Sequence, residues 1–275
     1  NPQVWDLDVH PTGRWLVSTH NAAWLLWDTT RARVVERGSV GTNAAVKFTP
    51  DGRAFHTYGS DGLKRWPMVE SPADGGNSQV AKVGAGEVLM PGMPAAAALD
   101  PKRPLIKQLL PLAQSLEWRF AAATFSANGG YVAVAGNGYA IRVNLVTRGP
   151  SPTVTLRRPD DSIISNSPDG LWLATTYNNQ PGPDLYDLET GAHVKRLDDA
   201  GKAGPMWMPH TGELITANTV GAKFWQPGSW ALQREIPWPD PGLARAFAGF
   251  DRDGRTAWVT WPGSMRRMDI HDGRL

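Results

Sequence analysis

Ser167-Pro168-Asp169-Gly170-Leu171-Trp172-Leu173-Ala174 joins a tight-turn signature to an alternating run, and the same join recurs along the chain. In such a turn Pro presets φ, Asp bonds back to its own main chain, and Gly takes the positive φ that side chains resist. Further copies stand at His10-Pro11-Thr12-Gly13, Thr49-Pro50-Asp51-Gly52, Ser126-Ala127-Asn128-Gly129-Gly130, Met208-Pro209-His210-Thr211-Gly212 and Asp251-Arg252-Asp253-Gly254. With Gly13, Gly52, Gly130, Gly170, Gly212 and Gly254 as markers, the steps are 39, 78, 40, 42 and 42 residues. The long step is two periods, so a unit of about 40 residues runs from end to end with one copy hidden between Gly52 and Gly130.

Alternating runs flank each turn. Val4-Trp5-Asp6-Leu7-Asp8-Val9 precedes the first and Arg14-Trp15-Leu16-Val17-Ser18 follows it, and Leu171 to Thr175 repeats the pattern in a later copy. These read as strands of period two. A third strand ends at Trp27-Asp28, Trp66-Pro67, Val143-Asn144, Tyr186-Asp187, Trp225-Gln226 and Met268-Asp269, and a weaker fourth follows, as in Arg33 to Glu36 and His193 to Leu197. Four short antiparallel strands in about 40 residues make one blade of a β-propeller, and only stacking of blades hides both faces of such a sheet. The 13 Trp outnumber the 7 Phe and 5 Tyr together. Their recurrence at one strand position predicts a ring wedged between sheets, its indole N–H hydrogen-bonded.

The expected fold is therefore all-β, a propeller of four-stranded antiparallel blades filling residues 1–275 as one domain. Six visible turns and the hidden copy predict seven blades. Residues 71–87 read as a loop inserted at the outer edge of the second unit. The third unit then begins near Ala95 with Asp100-Pro101-Lys102-Arg103 as its turn, and the blade near residues 88–120 is the irregular one. Within it, Leu105 to Leu110 reads equally as a strand or a helical turn. The sequence stops just after the last unit's third strand and starts with Asn1, not Met. Both features predict a segment excised from a longer protein, with the missing outer strand supplied from beyond it.

Composition narrows the chemistry. Hydrophobic residues at 41% and charged residues at 20% are those of an ordinary globular protein. A formal charge of +2 gives no footprint for nucleic acid or an anionic membrane. No apolar run reaches the roughly 18 residues of a membrane span, which with the lack of a signal peptide predicts a cytoplasmic segment. With no Cys there is neither a disulfide framework nor a thiolate site.

The hydrophobic run, the Ser-Pro-Asp-Gly turn, the second strand and the terminal Trp-Asp together resemble the WD-repeat β-propeller family. Ser167 to Ala174 and Leu26-Trp27-Asp28 carry the likeness, which extends over nearly the whole chain. The Gly-His dipeptide that usually precedes the first strand in that family is missing, so the family's buried His-Asp-Ser/Thr-Trp network is not expected intact. Arg65-Trp66-Pro67 followed by Ser-Pro-Ala-Asp-Gly-Gly is similar to WD-repeat regions fused to bacterial serine/threonine protein kinases of planctomycete type. That resemblance implies a kinase domain in the same full-length chain.

Catalytic motifs are not found. The six His are scattered without metal-ligand spacing, and neither a Gly-x-Ser-x-Gly elbow nor a phosphate loop occurs. His10 and His210 read as turn residues, and Asp28, Asp51, Asp169 and Asp187 as repeat-bound turn and strand-end acids. Asp160-Asp161 and Asp198-Asp199 fall between units and read as solvated loop acids, with a weak cation site as the other reading. Lys102-Arg103, Arg157-Arg158 and Arg266-Arg267 read as solvated basic faces. No cofactor or metal is expected. In a propeller the loops from fourth to next first strand and from second to third strand gather at one rim, where partners dock. Arg119, Arg157, Arg158, Asp160 and Arg245 lie in the former, with Tyr139, Tyr177 and Trp261 in the latter, and Arg, Tyr and Trp are favoured at binding hot spots. The reading is a noncatalytic scaffold or sensor that binds a protein or peptide in a bacterial signalling protein. The alternatives are a hydrolase or lactonase with acids and His converging on the central channel, and a plain structural spacer.

Overall fold

The computed structural model describes residues 4–41, 44–72, 79–91, 122–136, 138–147, 152, 154–157, 163–176, 182–198, 204–238, 247–251, 254–261 and 264–274. Among them all regular structure is β. The first sheet orders β1 (Val4–Val9), β2 (Trp15–His20), β3 (Ala23–Asp28) and β4 (Arg33–Ser39) consecutively. The second contains β5 (Ala45–Phe48), β6 (Ala54–Gly59), β7 (Gly62–Pro72), β8 (Gln79–Val83) and β9 (Glu87–Pro91). The third comprises β10 (Ala122–Phe125), β11 (Tyr131–Gly136), β12 (Tyr139–Asn144) and β13 (Val154–Thr155). The fourth comprises β14 (Ile163–Asn166), β15 (Trp172–Thr176), β16 (Asp184–Asp187) and β17 (His193–Arg196), and the fifth β18 (Gly204–Trp207), β19 (Leu214–Ala217), β20 (Gly221–Trp225) and β21 (Leu232–Pro237). The sixth has three strands, β22 (Phe247–Phe250), β23 (Thr256–Trp261) and β24 (Ser264–Asp269). These repeated antiparallel blades are those of a β-propeller.

Six sheets are found among the described residues where seven were expected. Part of the discrepancy lies at the second blade. Residues 71–87 are not a plain loop: β8 pairs with the outer half of β7, from Met68 to Pro72, and β9 pairs with its inner half, from Gly62 to Arg65. The 11-residue β7 is long enough to carry both partners end to end. Glu87–Pro91, whose first residue was expected in the inserted loop and whose remainder was expected in the irregular blade near 88–120, thus belongs to the second sheet. The rest of that blade and the Asp100 turn lie outside the described residues.

The turn's main-chain closure is reproduced in all six copies among the described residues. The residue opening each turn donates its N–H across the turn: His10 to Trp15 O, Thr49 to Ala54 O, Ser126 to Tyr131 O, Ser167 to Trp172 O, Met208 to Glu213 O and Asp251 to Thr256 O. In the third copy Gly129, not Gly130, takes the left-handed φ of 66°. Counted from it, Val143 falls 14 residues on, as Trp27 does from Gly13 and Trp66 from Gly52. Asp28, Asn144 and Asp187, at the ends of third strands, accept main-chain N–H groups two and three residues ahead, so these repeated groups turn the chain into the fourth strand.

The chain divides into two compact units, residues 1–132 with 143–150 and residues 133–142 with 151–275. In the first, Trp15, Val17, Trp24 and Leu26 of the first sheet meet Val46, Phe48, Phe55 and Met68 of the second in one buried cluster. Carboxylates reinforce that contact at the innermost strands. Asp6 accepts Val46 N–H at 2.9 Å and Asp8 accepts Phe48 N–H at 2.7 Å, with Lys47 Nζ 2.8 Å from the Asp8 carboxylate. In the second unit, Ala174, Leu185 and Leu197 pack with Trp207, Leu214, Trp225 and Trp230, and Ile215, Phe224 and Ile236 with Ala257, Val259 and Met268.

Neighbouring turns are also keyed together. A Cβ on Gly52 would overlap His10 Nε2, and that nitrogen lies 3.0 Å from Gly52 O. Pro50 sits where a Cβ on Gly129 would be, and His210 does the same at Gly254. Gly52→Ala therefore combines a left-handed φ of 70° with a clash against a buried ring. We expect a loss of roughly 1 to 3 kcal/mol in urea unfolding, and an unchanged midpoint would contradict the packing.

Candidate functional site

Antiparallel pairing fixes which connections share an end of a blade: second-to-third turns and fourth-to-first connections leave from one end, first-to-second and third-to-fourth turns from the other. Of the eight residues expected at the first of these ends, the structure places two in full. Tyr139 opens β12 opposite Thr155, and Leu156 N–H closes the ladder on Gly138 O, so exposed Arg157 emerges at the same end of the third sheet as half-buried Tyr139. Arg157 N–H donates to Tyr186 Oη at 2.8 Å. This bond ties the start of the connection to the fourth sheet. Trp261 ends β23 opposite Ser264, which puts its backbone at the corresponding end of the sixth sheet. Arg119, Arg158, Asp160, Tyr177 and Arg245 lie outside the described residues.

Other groups at these ends were not anticipated. Trp5 is 41% exposed beside the β2–β3 turn, and its indole N–H donates to Asn21 Oδ1 at 2.8 Å. Along β1 Leu7 and Val9 are exposed as well. The alternation in Val4 to Val9 told of a strand but not which face would stay open. In the fifth sheet Asn218 Oδ1 accepts Val220 and Gly221 N–H, and the Trp238 indole N–H donates to Asn218 O at 2.7 Å. That turn presents an exposed Val220 above a buried Trp238.

The recurrent third-strand Trp does find the polar partner predicted for it. Trp27 N–H donates to Ser18 Oγ, Trp66 to Thr57 Oγ1 and Trp225 to Thr216 Oγ1, at 2.8, 2.9 and 3.0 Å and always nine residues apart. In the first sheet the chain of contacts continues, with Ser18 Oγ 2.9 Å from His20 Nε2.

Titratable side chains elsewhere are bound into the architecture. Asp184 and His193 pair across β16 and β17 at 2.9 Å, with the imidazole edge-on to Tyr186. Burial between the second and third sheets pushes the His56 imidazole down to about 4, and its ring stacks on Phe125. Burial raises Asp6 to about 6 against the lowering effect of the Val46 and Leu7 N–H groups. Asp198, one of the inter-unit acids, pairs with Arg196 at 2.7 Å, and Arg267 of the last basic pair meets Asp251 at 2.8 Å. Among the described residues no group of three His, Asp or Glu is placed to hold a metal ion. No described helix is long and apolar enough to cross a membrane.

The class these features define is a β-propeller built from repeated blades, with the Trp to Ser/Thr hydrogen bond compatible with a WD-repeat type. A scan of protein-family models finds no match to this chain, and neither does a search of curated protein sequences.

Proposed function

We propose that this chain is a noncatalytic WD-repeat propeller that binds a protein or peptide through the blade ends carrying the second-to-third turns and fourth-to-first connections. The observation that carries the reading is the placement of Tyr139 and Arg157 together at one such end, where β12 pairs with β13 and Leu156 N–H bonds to Gly138 O. A rigid sheet holding an aromatic and a guanidinium at its end supplies contact area and charge at little entropic cost. The resemblance in sequence style supports a role as scaffold or sensor of a cytoplasmic bacterial signalling protein, with a serine/threonine kinase domain in the same full-length chain.

The test is comparative capture. Wild type and a Tyr139→Ala/Arg157→Ala variant are used as bait in lysate of the source cells, captured proteins are identified by mass spectrometry, and the leading one is titrated as purified protein. The variant is expected to bind at least tenfold more weakly while keeping its melting temperature within a few degrees. Equal affinity would remove this end of the blade from the binding surface.

A further inference from the structure

Asn166 is the exception in a position that the repeat otherwise reserves for apolar side chains. The residue just before each turn is Val9, Phe48, Phe125, Trp207 or Phe250 in the other five sheets. In the fourth sheet it is Asn166, 5% exposed, and neither its amide oxygen nor its amide nitrogen has a hydrogen-bond partner among the described residues. It pairs in register with Leu173, so its side chain stands on the face that Leu173 and Tyr186 turn toward the third sheet.

On its third-sheet side that interface sets three alanines beside Val154 and Leu156. Ala133, Ala135 and Ala140 form a buried cluster with Leu173 and Tyr186. Counted from the turn glycines Gly13 and Gly129, Ala133 and Ala140 occupy the positions that Val17 and Trp24 fill in the first sheet. An Asn replaces a Phe or Trp on one side while Ala replaces Val and Trp on the other. A buried amide with both ends unsatisfied is strongly disfavoured, and proteins meet that demand with ordered water where space permits.

We propose that Asn166 holds an ordered internal water molecule between the third and fourth blades, accepting a hydrogen bond from it and donating one to it or to a second water. The site takes water and not an ion: the amide is neutral, with a carbonyl that accepts and two N–H groups that donate, and the residues of the adjoining cluster are uncharged.

The experiment is a water-selective ROE measurement on the isotope-labelled protein, with the count of long-lived waters taken from oxygen-17 relaxation dispersion. The Asn166 side-chain protons should show a cross-peak to water of the sign that marks dipolar contact and not proton exchange. Asn166→Leu should remove at least one long-lived water from the dispersion amplitude while melting in a single cooperative transition. Absence of the cross-peak in wild type, or an unchanged amplitude in a folded Asn166→Leu protein, would overturn the assignment. Should the Leu variant fail to fold, the wild-type cross-peak alone decides.

Discussion

Trp225→Ala is expected to destabilise the protein by about 3 to 5 kcal/mol. The ring is buried among Ala174, Leu185, Trp207 and Trp230, so its removal leaves a void that two neighbouring sheets must close together. It also leaves Thr216 Oγ1 without the indole donor that lies 3.0 Å away. The loss should appear in urea unfolding as a lower midpoint at an unchanged slope. Trp27 makes the same bond to Ser18 but is only half-buried, and less area returns to water when it is truncated. Trp27→Ala is therefore expected to lose roughly 1 to 2 kcal/mol. Equal losses for the two variants would mean that the first sheet's open face is covered in solution.

Acidification gives the other large effect. His56 is buried and held neutral, its value lowered from 6.5 to about 4 by burial first and then by the Arg65 charge. Above pH 6.5 folded and unfolded chains both carry it neutral, and its contribution is whole. Between pH 6.5 and about 4 the unfolded chain takes up a proton that the folded chain refuses, so stability is lost, by roughly 3 kcal/mol over the interval. Asp6 acts in the opposite sense. Its value is raised from 3.8 to about 6, so between those limits the folded chain keeps a proton that the unfolded chain releases, and the group opposes folding as pH rises through 6. The wild-type profile is thus flatter than His56 alone dictates. His56→Phe retains the aromatic contact with Phe125 and removes the titration, so its profile should show stability rising on acidification relative to wild type. Parallel profiles from pH 7 to 4.5 would exclude His56 as the titrating group.

The blades were legible because their turns are chemical punctuation: Pro, Asp and Gly at fixed offsets leave the backbone few choices, and the Trp nine residues beyond a Ser or Thr is placed by strand alternation. Gly129 and Gly130 show the limit of that reading, since two adjacent glycines both tolerate a left-handed φ and only the fold selects one. The strands after Pro72 were misread because Gly, Pro and Ser dominate the approach to them, while their identity is set by pairing with the unusually long β7. At the end proposed for binding, residue type pointed to Tyr139 and Arg157. Exposure of Trp5 depends on what packs over β1, which no local pattern encodes. Asn166 could have been noticed as the one polar residue ahead of the six aligned turns, but that it is buried with its amide unpaired is set by packing between sheets.

The fit of His10 over Gly52, Pro50 over Gly129 and His210 over Gly254 bears on how such a chain can change. The lock at each of these three seams is cut for one neighbour, so the copies that meet there are not interchangeable parts. Transplanting a whole blade from one seam to another would leave its own strands content and its borders mismatched. At these three borders the order of the blades is therefore held by shape as well as by the run of the chain.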